Sequence, residues 1–139
     1  MKKLGMLVAA LAAALVMNGC SLIPGVGSQS GIQACVAIQG PLQEAGQQIV
    51  DLVQNAPSDP MAAAKAMDSL VAKLTEARGK VTNEKVGAGL DKLISAAKSL
   101  STQLKSTKGD FSKLDNTKFQ TAVEEFSTAL NEVVAGCQS

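Results

Sequence analysis

Apolar residues recur at alternating intervals of three and four in four separate stretches of this chain. The repeating positions are Cys35, Ile38, Leu42, Ala45, Ile49, Leu52 and Ala56; then Met67, Leu70, Leu74, Ala77 and Val81; then Val86, Leu90, Leu93, Ala97, Leu100 and Leu104; and finally Phe119, Val123, Phe126, Leu130, Val133 and Cys137. Because an α-helix has 3.6 residues per turn, this spacing places one apolar stripe along each helix. The pattern predicts four amphipathic helices that bury one face each.

Short breaks that contain helix-capping residues separate the four stretches. Asp59 followed by Pro60 has the order of an N-cap and a first helical residue. Asn83 can cap the third helix, and Asp115 or Asn116 can cap the fourth. Since short connections make successive helices antiparallel neighbours, we expect an all-α, antiparallel, up-down-up-down four-helix bundle.

One local conflict lies inside the first stretch, at Gly40 and Pro41. Pro41 cannot donate a hydrogen bond to the carbonyl of Ala37, and its ring crowds the preceding turn. The apolar spacing nevertheless continues from Ile38 to Leu42. Two interpretations remain: a kinked helix, or a short helix followed by a main helix that begins at Pro41.

The first 20 residues have the layout of an export signal. Lys2 and Lys3 precede an uncharged apolar run over residues 4–17, and the small residue Gly19 and then Cys20 follow it. A positive start, a short apolar run and a small residue at the cut are typical of signal peptides. The run is shorter than the roughly 20 residues that a membrane-spanning helix needs.

The end of this run, Met17-Asn18-Gly19-Cys20, resembles the lipobox of bacterial prelipoproteins, which usually reads Leu-(Ala/Ser/Thr)-(Gly/Ala)-Cys. Gly19 and Cys20 match its last two positions, whereas Met17 and Asn18 depart from the first two. The resemblance covers the first 20 residues. It implies that the thiol of Cys20 receives a diacylglyceryl group and that the signal is cleaved after Gly19. Two or more acyl chains anchor a protein stably to a membrane.

The same resemblance implies a location in the cell envelope. The protein would be lipid-anchored to the outer face of the cytoplasmic membrane or to the outer membrane, to which Ser21 directs lipoproteins in hosts that have one. Residues 21–31 hold four Gly or Pro residues and no charge, which predicts a flexible tether of at most about 35 Å. The predicted domains are a signal peptide over 1–19, the lipidated cysteine and tether over 20–31, and the helical bundle over 32–139.

Two further cysteines lie at chain positions that the predicted topology brings together. Cys35 is near the start of the first helix and Cys137 is near the end of the fourth, and both lie on apolar stripes. In an up-down-up-down bundle these two ends share one pole. Export would place them where disulfides persist. We therefore predict a Cys35–Cys137 disulfide that closes the bundle, with two buried free thiols as the alternative.

The composition argues against several classes of function. The chain has no histidine, the commonest general base and metal ligand. With Cys20 assigned to lipid and Cys35 and Cys137 to each other, a zinc site or a cysteine nucleophile lacks its side chains. Cleavage after Gly19 would remove two of the 13 basic residues and none of the 12 acidic ones, which leaves no basic excess for nucleic acid. We expect no enzyme activity, cofactor, metal or nucleic-acid partner.

Several weaker features have ordinary structural interpretations. Gly87 and Gly89 form a G-x-G without the third glycine or the preceding strand of a phosphate loop, so a hinge or a close helix contact is favoured. Met61 and Met67 are interpreted as core residues. The first helix is rich in glutamine and nearly uncharged. Such a face could bind an envelope protein or a glycan, although solubility alone also explains it.

The sequence predicts a membrane-anchored cell-envelope lipoprotein with a non-catalytic helical binding or structural domain. The alternative is a carrier that binds an apolar ligand such as lipid in the bundle core, and a cavity lined by Leu, Val and Phe would mark it. An enzyme would require a pocket with convergent polar groups. Self-association would use any apolar stripe that the bundle leaves uncovered.

Overall fold

The computed structural model describes residues 29–139, except for the side chain of Val53. The predicted export segment, including Gly19 and Cys20, lies outside the described residues. The helices are α1 (Gly31–Asn55), α2 (Pro60–Gly79), α3 (Glu84–Ser106) and α4 (Asn116–Cys137), with a short 3-10 turn at Phe111–Lys113 before α4. Residues 29–139 contain no β-strand.

The four helices pack as an up-down-up-down bundle, which confirms the predicted fold class. The α3–α4 interface is the most extensive, followed by α2–α3 and then α1–α2. Helix α4 returns to α1, but these two helices make the lightest contact of any neighbouring pair. A disulfide between Cys35 and Cys137 joins them. The bundle is therefore closed at one pole by a covalent bond and elsewhere by packing.

Side chains cap three of the helices as the sequence predicts. Asp59, Asn83 and Asp115 each accept a hydrogen bond from a backbone N–H three residues later, at 2.9–3.1 Å. Each bond satisfies one donor that the first helical turn leaves without an intrahelical partner. The fourth cap is Asp115 rather than Asn116, which is the first residue of α4.

Helix α1 is continuous through Pro41. The interpretation of two separate helices is therefore wrong. Ile38 and Leu42, on either side of the missing hydrogen bond, are both buried in the core. Their packing holds the chain helical where the local backbone preference would end it.

Large aliphatic side chains and one phenylalanine fill the core. The largest fully buried side chains are Phe126, Ile38, Met67, Leu70, Leu74, Leu90, Leu93, Leu100, Leu104, Val86, Val133 and Thr107. The prediction for Met67 is confirmed, whereas that for Met61 is wrong because 45% of this residue is exposed in the first turn of α2.

The buried face of α4 differs from the predicted apolar stripe. Ala122, Ala129 and Gly136 are buried, while several larger residues of the predicted stripe are half-buried.

Helices α3 and α4 approach most closely at a glycine. A Cβ atom added to Gly89 would lie 2.9 Å from Cγ2 of Val133 and 3.0 Å from its backbone nitrogen. This finding confirms the close-contact interpretation of the G-x-G sequence. At the opposite pole, the chain turns from α3 toward α4 through Lys108 and Gly109, which have positive φ values of 51° and 89°.

Candidate functional site

The start of α1 is fixed to the end of α4. The hydroxyl of Ser30 accepts a hydrogen bond from the backbone N–H of Gln33, and the Gln33 side chain accepts one from the backbone N–H of Ser30, both at 3.2 Å. Gly31 is buried so tightly that a Cβ atom would overlap the carbonyl oxygens of Gly136 and Ser139. The chain can enter the bundle here only because residue 31 has no side chain.

Gln29 also belongs to the folded domain. Its backbone N–H donates to Oγ1 of Thr82 at 3.3 Å, and its side-chain oxygen accepts from the backbone N–H of Thr82 at 3.1 Å. The side-chain amide of Asn83 donates to the carbonyl of Gln29 at 3.0 Å. Residues 29–31 thus contact the bundle through hydrogen bonds and close packing. The Ser30-x-x-Gln33 spacing of a capping box is the sequence signal for the start of α1 at Gly31.

The Cys35–Cys137 disulfide lies next to these contacts. The two Cα atoms are 5.6 Å apart although 102 positions separate the residues in the chain. Both cysteines are half-buried. We call this end of the bundle, comprising Gln29, Gly31, Cys35, Thr82 and Cys137, the entry pole. It brings together the two predicted disulfide cysteines at the point where residues 20–28 join the domain.

A polar cluster connects α2 and α3 away from the entry pole. Ser101 is 2% exposed, and its hydroxyl lies 2.6 Å from Oδ1 of Asp68 and 3.3 Å from the carbonyl oxygen of Ala64. Nζ of Lys105 lies 2.6 Å from the other carboxylate oxygen of Asp68. The hydrogen bond from Lys105, and then that from Ser101, lowers the pKa of Asp68 below its ordinary value. A carboxylate with a lowered pKa is a weak base, and the hydroxyl is buried, so the arrangement suits helix pairing better than nucleophilic chemistry.

Replacing Lys105 by methionine is expected to raise the pKa of Asp68 toward its ordinary value, as measured by NMR titration of the carboxyl carbon. Because the folded pKa is lowered, Asp68 stabilises the fold above the pKa of its unfolded state, and this contribution is lost as pH falls through the folded pKa. The side chains are about half exposed, so the stability change should stay below about 1 kcal/mol. Lys80→Met, which removes a cation paired with Glu76 instead, is the control. An Asp68 pKa that is unchanged by the loss of Lys105 would contradict the assignment.

Two shallow grooves lie on the outside of the bundle between α3 and α4. Hydroxyl groups of Ser95, Ser99 and Thr121 line them, together with charged side chains and the amide of Gln103. Neither groove is lined by Leu, Val or Phe residues of the core. They are therefore open surface grooves rather than the enclosed chamber of core residues that a lipid carrier needs.

The exposed face of α1 is uncharged over most of its length. The helix contains no basic residue and only two acidic ones, Glu44 and Asp51. Glu44 forms an ion pair with Lys73 of α2. Ile32 and Val36 are 61% and 67% exposed, more than any other large apolar residue of the described chain. This face thus combines exposed apolar side chains with the absence of charge.

Neither a metal site nor a membrane-spanning helix is found in the part of the chain that the structure describes. No group of three or more His, Cys, Asp or Glu residues within 29–139 could hold a metal ion. None of the helices in this range is long and apolar enough to cross a bilayer. Comparisons with protein-family models, with curated proteins and with solved structures found no match. Any functional conclusion therefore rests on the residues of this chain.

Proposed function

We propose that this chain is a cell-envelope lipoprotein, in which acylated Cys20 holds a non-catalytic helical domain at a membrane surface. The Cys35–Cys137 disulfide is the observation that carries the proposal. Disulfides persist in oxidising compartments outside the cytosol. The bond therefore supports export on evidence that is independent of the signal-like residues 1–19. It also occupies two of the three cysteines, so Cys20 alone remains for acylation.

The use of polar side chains supports a binding or structural role for the domain. Asp59, Asn83 and Asp115 cap helices, and Ser101 connects α2 to α3. These groups stabilise the fold instead of converging on a pocket. The grooves beside α4 expose hydroxyl, amide and charged side chains, which suit an envelope protein or glycan as a partner.

The proposed anchor is tested by replacing Cys20 with serine and expressing the full chain in a bacterium that processes lipoproteins. The wild-type protein from the membrane fraction should have the mass of a chain that begins at Cys20 plus its acyl groups. The Cys20→Ser variant should carry no acyl group and should retain residues 1–19, because acylation precedes cleavage in lipoproteins. Intact-mass spectrometry of both proteins measures the difference.

A matched control replaces the other two cysteines. The double variant Cys35→Ser/Cys137→Ser should lose the disulfide but remain acylated and cleaved after Gly19, since the signal is unchanged. An unmodified Cys20 in the wild-type protein would contradict the proposed function, and so would normal cleavage of the Cys20→Ser variant.

A further inference from the structure

The exposed side of α1 carries two large apolar side chains near the entry pole, Ile32 and Val36. Ile32 and Val36 lie one helical turn apart, so their side chains are neighbours on one face. Gln39 and Gln43 continue this exposed face along the helix. We call these four residues the α1 outer face. No ionisable side chain occurs in α1 before Glu44.

The other helices differ from α1 in the charge of their exposed sides. Helix α2 exposes Lys65 and Lys73, and α3 exposes Lys92 and Lys98. Helix α4 exposes a pair of adjacent glutamates at residues 124–125. Moving such groups out of water costs free energy, whereas an uncharged face loses much less hydration when it is covered. Of the four helices, α1 thus has the surface that can be covered at the lowest cost.

The short chain segment between the proposed lipid at Cys20 and the domain indicates that the bilayer is what covers this face. Only residues 21–28 separate Cys20 from the first described residue, Gln29, and they can span at most about 30 Å. Ile32 and Val36 follow within the first two turns of α1, so they lie within about 10 Å of the point where this connection joins the domain. A lipid at Cys20 would therefore hold this face close to the bilayer at a high local concentration.

We propose that the α1 outer face rests on the bilayer surface, with Ile32 and Val36 in the interfacial region. This inference rests on the proposed lipid anchor and adds the orientation of the domain to it. Interfacial helices bury their apolar side chains about 5–10 Å into the boundary between headgroups and acyl chains. Because the face carries no charge, its contact should form on zwitterionic lipid and persist in high salt. Met61, which belongs to α2 at the opposite pole of the bundle, then lies outside this contact.

The chain contains no tryptophan or tyrosine, so one introduced tryptophan reports on its own position without background. The test uses the full-length, acylated protein purified from membranes and reconstituted in phosphatidylcholine vesicles, with and without bromine on the acyl chains. Ile32→Trp and Val36→Trp should each show blue-shifted emission and lose most of their fluorescence in the brominated vesicles. Met61→Trp is the matched control, because Met61 is also an exposed apolar residue but lies at the far pole. Its emission should be the same in both kinds of vesicle.

Flotation of the vesicles separates failure of the orientation from failure of the anchor. Protein that floats with the vesicles and is quenched at residues 32 and 36, but not at 61, supports the proposal. Floating protein with equal quenching at all three positions, or with none, would overturn the orientation and leave the anchor intact. Protein that carries no lipid and does not float would overturn the proposed function and this inference with it. Circular dichroism of each variant checks that the exposed substitutions leave the helices intact.

Discussion

Replacing Cys35 and Cys137 together by serine is expected to lower the free energy of unfolding of the bundle by about 2–5 kcal/mol. The disulfide joins residues 102 positions apart, and the chain-entropy treatment gives about 4.7 kcal/mol for a loop near this size as an upper figure. Typical domains have only about 5–15 kcal/mol of stability in total. Urea unfolding of the oxidised wild type and of the double variant, followed by circular dichroism, measures the loss.

The loss of stability should be concentrated in α1. Without the disulfide, only the small packing interface between α1 and α4 holds these two helices together. Hydrogen exchange should therefore accelerate more in α1 than in α3, which packs extensively on both of its neighbours. Reduction of the disulfide in the wild-type protein should lower the unfolding midpoint by a similar amount, whereas the same reductant should leave the midpoint of the double variant unchanged. Equal midpoints for the double variant and the wild type would show that the bond adds nothing to stability.

Substituting alanine for Gly89 is expected to lower the free energy of unfolding by about 1–3 kcal/mol, the usual cost of overpacking a core. The new methyl group would lie 3.0 Å from the backbone nitrogen of Val133, and a backbone atom cannot move aside as a flexible side chain can. This cost has to exceed the gain of about 1 kcal/mol that alanine brings to a helix interior. For a domain of this size, each kcal/mol corresponds to about 4–8 °C in the melting temperature, which thermal unfolding measures.

Gly46→Ala in α1 is the matched control for this prediction. A Cβ atom there would meet nothing within 4 Å, so only the helix propensity changes. The melting temperature should rise, which is the opposite sign from Gly89→Ala. Gly40 is less suitable because the residue before a proline is itself restricted. A melting temperature that rises in both variants would contradict the close α3–α4 contact.

The sequence predicted those parts of the fold that depend on local chemistry or on topology alone. Apolar spacing gave the four helices, and the caps at Asp59 and Asn83 followed from the hydrogen-bonding of their side chains. The Cys35–Cys137 bond followed from topology, because the start of the first helix and the end of the fourth helix lie at the same pole of an up-down-up-down bundle. Each of these predictions needs only the order of residues, not the distances between helices.

Features that depend on interhelical distance were missed. Small residues of α4 face α3: Ala122, Ala129 and Gly136 recur every seven residues and are buried. Phe119, Val123 and Leu130 are larger and fit the same spacing, so they were assigned to the stripe instead. The small residues allow α4 to approach α3 closely and leave Phe119 and Leu130 half-buried at the side. The role of Gln29 was missed for a similar reason, since its partner Thr82 is 53 positions away. The acylation of Cys20 stays a prediction.

The disulfide at the entry pole also makes the domain a covalent ring that runs from Cys35 through the whole bundle to Cys137. The exposed turn at Lys108 and Gly109 lies in this ring at the pole opposite the entry pole. A protease that cut there would open the ring without releasing either half, because both would remain joined through the two sulfur atoms. Under the proposed anchor, one lipidated residue would then keep both fragments at the membrane until a reductant separated them.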